Sequence, residues 1–467
     1  MLKKIHFYLL AALALSLLIF TACSDESSSN SDDSKKGVAR YTVIIYGHNG
    51  GNLDHSIDST MKDIQGILGE KEDVRVLLVY KYGGSTAFDG KLAYPGQMLH
   101  FEITKDTDLS KLKDSSAIVK DSIKLYDPEY ITSVINYAHD SLPAQDYILF
   151  FEGHGSGFEF ITDYPKSERS KSTALAKQTE IFSLIQDNWI PAIGGGETIT
   201  MKEIATGIKK SKVSHFKAIA FNLCLIGNIE LLDEIYSYTD YFLYSEHSLL
   251  SERAELITTL IENLTKNEND DFEYIVKAML ENRDLFVYWQ SKYVDKEMNG
   301  DYQFIKTDKF ANLNPIFKKL SNRLIELYAK EKNRAAIDKA ANRTYRIDPE
   351  DHPTLVDAID YANKLAEETK DETLKKIAKE LGKTYDSLTV ATMEAHYAEN
   401  PMLDNHFTIS VVLVDSATYN SKMLPGLDYT WMGQTTNRDS YKLTTFHKET
   451  GWGNWLNKNT NQTSDEE

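Results

Sequence analysis

Short apolar runs alternate with amphipathic stretches over the first half of the chain. Runs rich in β-branched and aromatic residues, which predict strands, occupy residues 41–46, 74–80, 147–151, 216–221 and 241–245. Apolar positions spaced as on one face of a helix predict helices at residues 57–68, 130–142 and 226–237. Strands that alternate with helices, and that are apolar on both faces, indicate an α/β fold with a largely parallel sheet flanked by helices.

The second half of the chain has a different pattern, helical and charged, with β character near its end. Helices are predicted at residues 256–264, 274–280, 313–340 and 355–365, and a strand at residues 407–414. We therefore expect a first domain over residues 41–255. A C-terminal, mainly helical region with a small β part is expected over residues 256–467.

The N-terminus has the features of an export signal. Lys3 and Lys4 precede an apolar run at residues 7–20, which is too short for a stable membrane span and has the shape of a signal peptide. The run is followed by the tripeptide TAC, ending at Cys23, which resembles the cleavage box of bacterial lipoproteins. A plain secretory signal that happens to contain a cysteine is the alternative.

A lipoprotein signal has consequences for location. We expect a signal peptide over residues 1–22, a lipid on Cys23, and a flexible polar tether over residues 23–40. The protein would then be exported and attached to a bacterial membrane through this lipid. The acidic residues after Cys23 resemble a surface-export signal of bacterial lipoproteins, and this resemblance implies exposure at the cell surface.

Composition argues against nucleic acid as a partner. The chain carries 52 basic and 70 acidic residues, which gives a formal charge of -18. This charge would repel a phosphate backbone, and no stripe rich in Lys and Arg interrupts the acidity.

Cys224 and His154 are the residues with the clearest chemical potential. The chain has only two cysteines, so Cys224 has no partner if Cys23 carries a lipid, and an unpaired exported thiol is either buried and inert or reactive. His154 follows the strand at 147–151 and Cys224 follows the strand at 216–221. The carboxyl ends of parallel strands meet at one edge of a sheet, and a helix after Cys224 would favour its thiolate. Taken singly, a packed cysteine and a loop histidine are the ordinary interpretations.

Several segments together resemble the clostripain family of cysteine peptidases, which belongs to the caspase-like fold group. The segments are YTVIIYGHNGGNLD, FFEGHGSGF, CLIGNIE, the Ser-Glu step at residues 245–246, HFTISVVLV and YKLTTFHKETGWGNWL. The resemblance implies a caspase-like sheet, with residues 41–255 as the catalytic domain. It also implies a cysteine endopeptidase that acts on protein or peptide substrates as a monomer. No metal or other cofactor is expected, and a calcium dependence is left open.

The resemblance also implies roles for individual residues. His154 would take the proton from Cys224, whose thiolate would attack the scissile carbonyl and form an acyl-enzyme. The backbone N–H groups of Gly155 and Cys224 would hold the oxyanion. Family members also self-cleave in the linker after the histidine strand, where this chain offers Lys166, Lys171 and Lys177.

One departure from the family concerns substrate preference. Members that cleave after Arg or Lys typically have an Asp two residues before the cysteine, and this chain has the neutral Asn222 there. Loss of that charge weakens the expectation of a basic preference. Other residues that could line the substrate pocket, each of which could equally be a solvated or capping residue, are His48, Asn49, Glu246 and Glu252.

The sequence disfavours two other classes of enzyme and leaves one class of binding protein as an alternative. A serine esterase would need a G-x-S-x-G turn, and a zinc hydrolase an H-E-x-x-H or clustered Cys/His spacing; neither pattern occurs. A catalytically divergent surface lipoprotein that binds peptides or glycans on the same fold is the remaining alternative. The 27 tyrosines suit such a binding module, although tyrosine is equally common in ordinary cores.

Overall fold

In a computed structural model, the described residues from Gly37 onwards belong to one compact unit. The described residues are 37–48, 54–69, 73–82, 97–114, 118–119, 125, 127–155, 157–158, 185–186, 198–249, 255–268, 271–282, 285, 291, 300–349, 352–395, 408–414 and 441–460. The expected signal peptide, Cys23 and most of the expected tether lie outside these residues. Among the described residues, no helix is long and apolar enough to cross a bilayer.

A nine-stranded sheet organises this unit. Along the chain its strands are β1 (Ala39–His48), β2 (Val74–Lys81), β3 (Met98–Ile103), β4 (Ile118–Val119), β5 (Ala144–Gly153), β8 (Phe216–Asn222), β9 (Thr239–Tyr244), β10 (Gly300–Lys306) and β13 (Thr389–Ala395). Their order in the sheet is β13-β10-β9-β8-β5-β1-β2-β3-β4. A short pair, β6 (Ile185–Gln186) and β7 (Thr198–Ile199), lies outside this sheet.

The centre of the sheet is parallel and its edges are antiparallel. Strands β2, β1, β5, β8 and β9 pair in parallel with their neighbours. On one side β3 and β4 pair antiparallel, and on the other side β10 and β13 do so. These pairings confirm the prediction of a largely parallel sheet, and the mostly apolar central strands are buried on both faces, as expected for parallel strands.

Helices cover both faces of the sheet. One face packs against α1 (Asp54–Ile67), α5 (Glu255–Lys266) and α6 (Phe272–Leu280). The other face belongs to a larger core that includes α2 (Pro128–Ser141), α3 (Met201–Lys210), α4 (Ile229–Leu232), α7 (Leu313–Tyr328), α8 (Glu331–Arg343), α9 (Ala358–Thr369), α10 (Glu372–Leu388), α11 (Thr445–Thr450) and α12 (Trp452–Thr460). Residues from both halves of the chain therefore share one core.

The C-terminal residues contribute to both sheets. Strands β10 and β13 extend the main sheet, and a second antiparallel sheet has the order β11 (Arg346–Asp348), β12 (His352–Asp357), β14 (Ser410–Val412). The described residues on the two sides of the expected boundary at residue 255 belong to the same compact unit. The C-terminal region is mainly helical with a small β part, as expected from its pattern.

Three helix predictions are wrong in their bounds. The stretch 226–237 contains only the four-residue α4 and a 3-10 turn at Tyr236–Tyr238. The stretch 313–340 is divided between α7 and α8. The stretch 355–365 begins as strand β12 and becomes helical only at Ala358, because Asp357 caps the helix by accepting a hydrogen bond from the Asp360 N–H.

Candidate active site

The ends of β5 and β8 bring the histidine and cysteine segments together. Glu152 and Asn222 are register partners in these neighbouring parallel strands, and His154 and Cys224 each follow two residues later. The Gly155 backbone lies directly against Cys224, because a Cβ at position 155 would overlap the Cys224 carbonyl oxygen and lie 2.9 Å from its nitrogen. Only glycine fits this approach. The structure therefore places both predicted catalytic residues at one edge of the sheet.

His154 is held as a neutral imidazole at neutral pH. Burial lowers the pKa of His154 to about 4, and the charge of the nearby His48 acts in the same direction. His48 is itself buried, at the end of β1, where it pairs in register with Gly153. A neutral imidazole is the form that can accept a proton from a thiol.

The Cys224 thiol is partly buried and packs against the larger core. The backbone N–H of Leu249 donates to the Cys224 sulfur at 3.2 Å. Burial nevertheless raises the pKa of the thiol, and the negative charge of Asp348 raises it further. The expectation that a helix dipole favours the thiolate is wrong, because α4 begins only at Ile229. At neutral pH the Cys224 thiol and the His154 imidazole are therefore both neutral.

The backbone after Cys224 is strained and is supported by a second segment. Leu225 has a φ of 61°, in the left-handed region that non-glycine residues rarely adopt. Its N–H donates to the carbonyl of His247 at 3.1 Å, and the Gly227 N–H donates to the carbonyl of Ser245 at 2.7 Å. Such strain is stable only where the surroundings impose it, and it is common at functional sites.

Asn222 has both ends of its side chain engaged. Its Nδ2 donates to Glu152 Oε2 at 2.8 Å, and its Oδ1 accepts from the Tyr302 hydroxyl at 2.8 Å. Asn222 and Glu152 are both buried. The position at which an Asp was expected for cleavage after Arg or Lys therefore holds a neutral amide within a buried hydrogen-bond network.

The structure places the other predicted pocket residues unevenly. The Glu246 side chain is fully buried, its carboxyl accepts from the Thr408 N–H at 2.9 Å, and burial raises its pKa well above the usual range. Asn49, Glu252 and the three linker lysines lie outside the described residues. Among the described residues, no group of three or more His, Cys, Asp or Glu side chains could hold a metal ion.

Two buried polar residues near the segment that contacts Cys224 are not predicted from the sequence. Asp301 and His247 are buried and lie 3.0 Å apart at the closest atoms, Asp301 Oδ1 and His247 Nδ1. Their segments are far apart in sequence, and Asp301 lies in a strand without an alternating pattern. The contact between these two buried polar side chains can be identified only once the pairing of the strands is known.

Comparison with known proteins identifies the family of the chain. The model of the clostripain family matches residues 52–458, most of the chain. The chain belongs to the clostripain family. A search of curated proteins finds no match.

Solved structures of the same family share the fold at low sequence identity. A secreted C11 cysteine protease from Bacteroides thetaiotaomicron, in complex with an irreversible peptide inhibitor, has a TM-score of 0.55 at 12% identity, over 89% of this chain and 100% of that chain. An inactive zymogen C11 protease from Parabacteroides distasonis has a TM-score of 0.52 at 14% identity, over 89% and 99% of the two chains. These likenesses show the fold, which is the predicted α/β arrangement.

Proposed function

We propose that the protein is a cysteine endopeptidase in which Cys224 is the nucleophile and His154 the general base. The observation that carries the proposal is the contact between the Gly155 backbone and the Cys224 backbone at the paired ends of β5 and β8. This contact brings a thiol, an imidazole and two backbone N–H groups to one edge of the sheet. These are the groups that acyl transfer from a peptide requires.

The neutral resting pair determines the order of the proton transfers. As the sulfur attacks the scissile carbonyl, its proton passes to the ring of His154, and the oxyanion is held by the N–H groups of Gly155 and Cys224. The imidazolium then protonates the leaving amine as the C–N bond breaks, which leaves an acyl-enzyme. A water molecule then attacks the acyl group as His154 takes its proton. The C–S bond breaks to release the acid, and the imidazolium returns the proton to the departing sulfur, which restores the neutral thiol.

The preference for the residue before the cleaved bond does not follow from Asn222. A neutral amide that already donates to Glu152 and accepts from Tyr302 has no charge to offer a basic side chain. The cleavage products must therefore report this preference.

The decisive experiment uses a mixed peptide library. Wild type is expected to cleave it, whereas Cys224→Ala and His154→Ala are expected to lose cleavage while keeping the wild-type unfolding midpoint. Equal cleavage by wild type and Cys224→Ala would refute the mechanism. Binding of peptides or glycans without cleavage by the wild type would favour the divergent binding module instead.

The same proposal includes export and lipid attachment at Cys23. It rests on the charged and apolar N-terminal segment followed by TAC, and a related protease is described as secreted. Incorporation of labelled fatty acid in the bacterial host would test it. Cys23→Ala should abolish the label and release the protein from the membrane fraction, and a label that persists in this variant would contradict lipid attachment at this residue.

A further inference from the structure

A fully buried carboxylate organises the segment that lies behind the nucleophile. Asp301, on β10, has no solvent exposure. Its Oδ1 accepts hydrogen bonds from Ser245 Oγ at 2.9 Å, from the Glu246 N–H at 3.1 Å, and from the N–H and Nδ1 of His247 at 3.0 Å each. Its Oδ2 accepts from Gln303 Nε2 at 3.1 Å. The backbone of residues 245–247 therefore wraps around one carboxylate.

This carboxylate is charged although it is buried. Burial alone would raise the pKa of Asp301, but the hydrogen bonds from His247, Ser245 and Gln303 and the charge of His247 hold it below its usual range. The neighbouring Glu246 shows the opposite behaviour, because burial raises its pKa well above the usual range. At neutral pH the negative charge of this cluster therefore lies on Asp301 and not on Glu246. The surrounding N–H groups point towards the Asp301 carboxylate.

The same segment, residues 245–247, also bonds to the turn that follows Cys224. The carbonyls of Ser245 and His247 accept from the N–H groups of Gly227 and Leu225, so that the segment carries the strained turn after Cys224. At residue 249 the backbone N–H reaches the Cys224 sulfur at 3.2 Å. Residues 245–249 therefore connect the Asp301 carboxylate to the nucleophilic atom, with hydrogen bonds to Asp301 at one end and the Leu249 N–H on the Cys224 sulfur at the other.

We propose that Asp301 is a positioning residue, which fixes residues 245–249 and through them the Cys224 sulfur and the Leu249 N–H that donates to it. This inference rests on the proposed function, since it assigns a role in the same reaction. Asp301 does not take part in bond making, and the donors that it gathers keep the Leu249 N–H directed at the sulfur. That N–H stabilises the thiolate as it forms, because a hydrogen bond to the charged form favours ionisation.

The variant Asp301→Asn should disturb this arrangement with little change in volume. Its amide would carry two N–H donors among groups that are themselves mostly donors, so that residues 245–247 must shift. A misplacement of about 1 Å can lower kcat by about 10²-fold, and we expect a loss of this order with KM changed by less than about threefold. The thiol pKa should rise, because the Leu249 N–H no longer reaches the sulfur.

Two measurements separate positioning from a merely structural role. The first is the pH profile of Cys224 alkylation by iodoacetamide, in which the thiolate sulfur displaces iodide, followed by mass spectrometry of the Cys224 peptide in the full chain. The second is the division of the peptidase effect between kcat and KM. Since His154 and Asp348 also act near the sulfur, the profile is compared between variants at each pH.

Matched variants keep the outcome interpretable. Ser245→Ala removes a hydroxyl that lies 2.9 Å from Asp301 Oδ1 and that also bonds to the backbone of His247, so it loosens the same arrangement and should shift the profile in the same direction by a smaller amount. Asp233→Asn changes another buried carboxyl, which accepts from Asn314 Nδ2 at 2.8 Å, and should leave the alkylation profile unchanged. If Asp301→Asn does not fold, Ser245→Ala decides the question.

The possible results distinguish the two proposals. A shifted alkylation profile in Asp301→Asn and Ser245→Ala supports the positioning role, even if the wild type cleaves no peptide in the library; that second result refutes only the peptidase function. A folded Asp301→Asn with the wild-type alkylation profile and the wild-type kcat overturns the positioning role. An unshifted profile in Ser245→Ala, where Asp301→Asn is unfolded, overturns it equally.

Discussion

Glu230 should make the stability of the protein depend on pH near neutrality. It lies in α4, shortly after Cys224 in the sequence, and is fully buried. Its Oε1 accepts from the Val412 N–H at 3.0 Å and from the Tyr441 hydroxyl at 2.7 Å, so that it ties the C-terminal segments to this helix. Burial raises the pKa of Glu230 from 4.5 to about 7, and the two hydrogen bonds offset only part of the effect.

The sign and size follow from this shift. The unfolded state ionises at a lower pH than the folded state, so stability falls as the pH rises from about 4.5 and levels off above about 7. The full shift of about 2.5 pKa units corresponds to about 3 kcal/mol at 1.36 kcal/mol per unit. Between about pH 5 and about pH 8 we expect Glu230 to lower the free energy of unfolding by about 2 to 3 kcal/mol.

The variant Glu230→Gln isolates this contribution. Gln is close in size, can still accept from Val412 and Tyr441, and does not titrate. Urea unfolding is followed by tryptophan fluorescence at about pH 5 and about pH 8. The free energy of unfolding of the variant, relative to that of the wild type, should be higher at the upper pH by about 2 to 3 kcal/mol. Other buried acids titrate equally in both proteins and cancel in the difference. A difference that stays constant with pH would refute the reasoning.

Three further predictions concern the active site. Because burial raises the pKa of Cys224, its alkylation near neutral pH should be slower than that of free cysteine, and a faster rate would contradict a neutral resting pair. Gly155→Ala places a methyl group against the Cys224 backbone and should lower kcat by about 10²-fold, measured on a peptide that the wild type cleaves; wild-type turnover would contradict the close approach. Asn222→Asp places a second carboxyl next to Glu152, because Asn222 Nδ2 lies 2.8 Å from Glu152 Oε2. The free energy of unfolding of this variant should therefore fall with rising pH more steeply than that of the wild type. Parallel pH curves for the two proteins would argue against this contact.

The sequence by itself determined the central sheet and the edge at which the reactive residues meet. Residues 147–151 are all apolar and buried, and residues 216–221 are apolar and buried except at Lys217, so both runs are easily identified as strands. The chain direction then places His154 and Cys224 at the carboxyl ends. The resemblance to a family implied a shared oxyanion role for Gly155 and Cys224, whereas the close approach of their backbones follows only from the paired register of β5 and β8.

The tertiary structure decided the backbone around the nucleophile and the charge state of its neighbours. The apolar residues after Cys224 are buried, but Leu225 and Gly227 donate to carbonyls of residues 245–247 instead of continuing a helix. Ser245 and His247, which donate to Asp301, lie more than fifty positions away from it in sequence, and Glu230 acquires its raised pKa from burial in a core that includes Val412 and Tyr441. A local pattern records which residues avoid water, whereas hydrogen bonds and desolvation depend on which distant segments pack together.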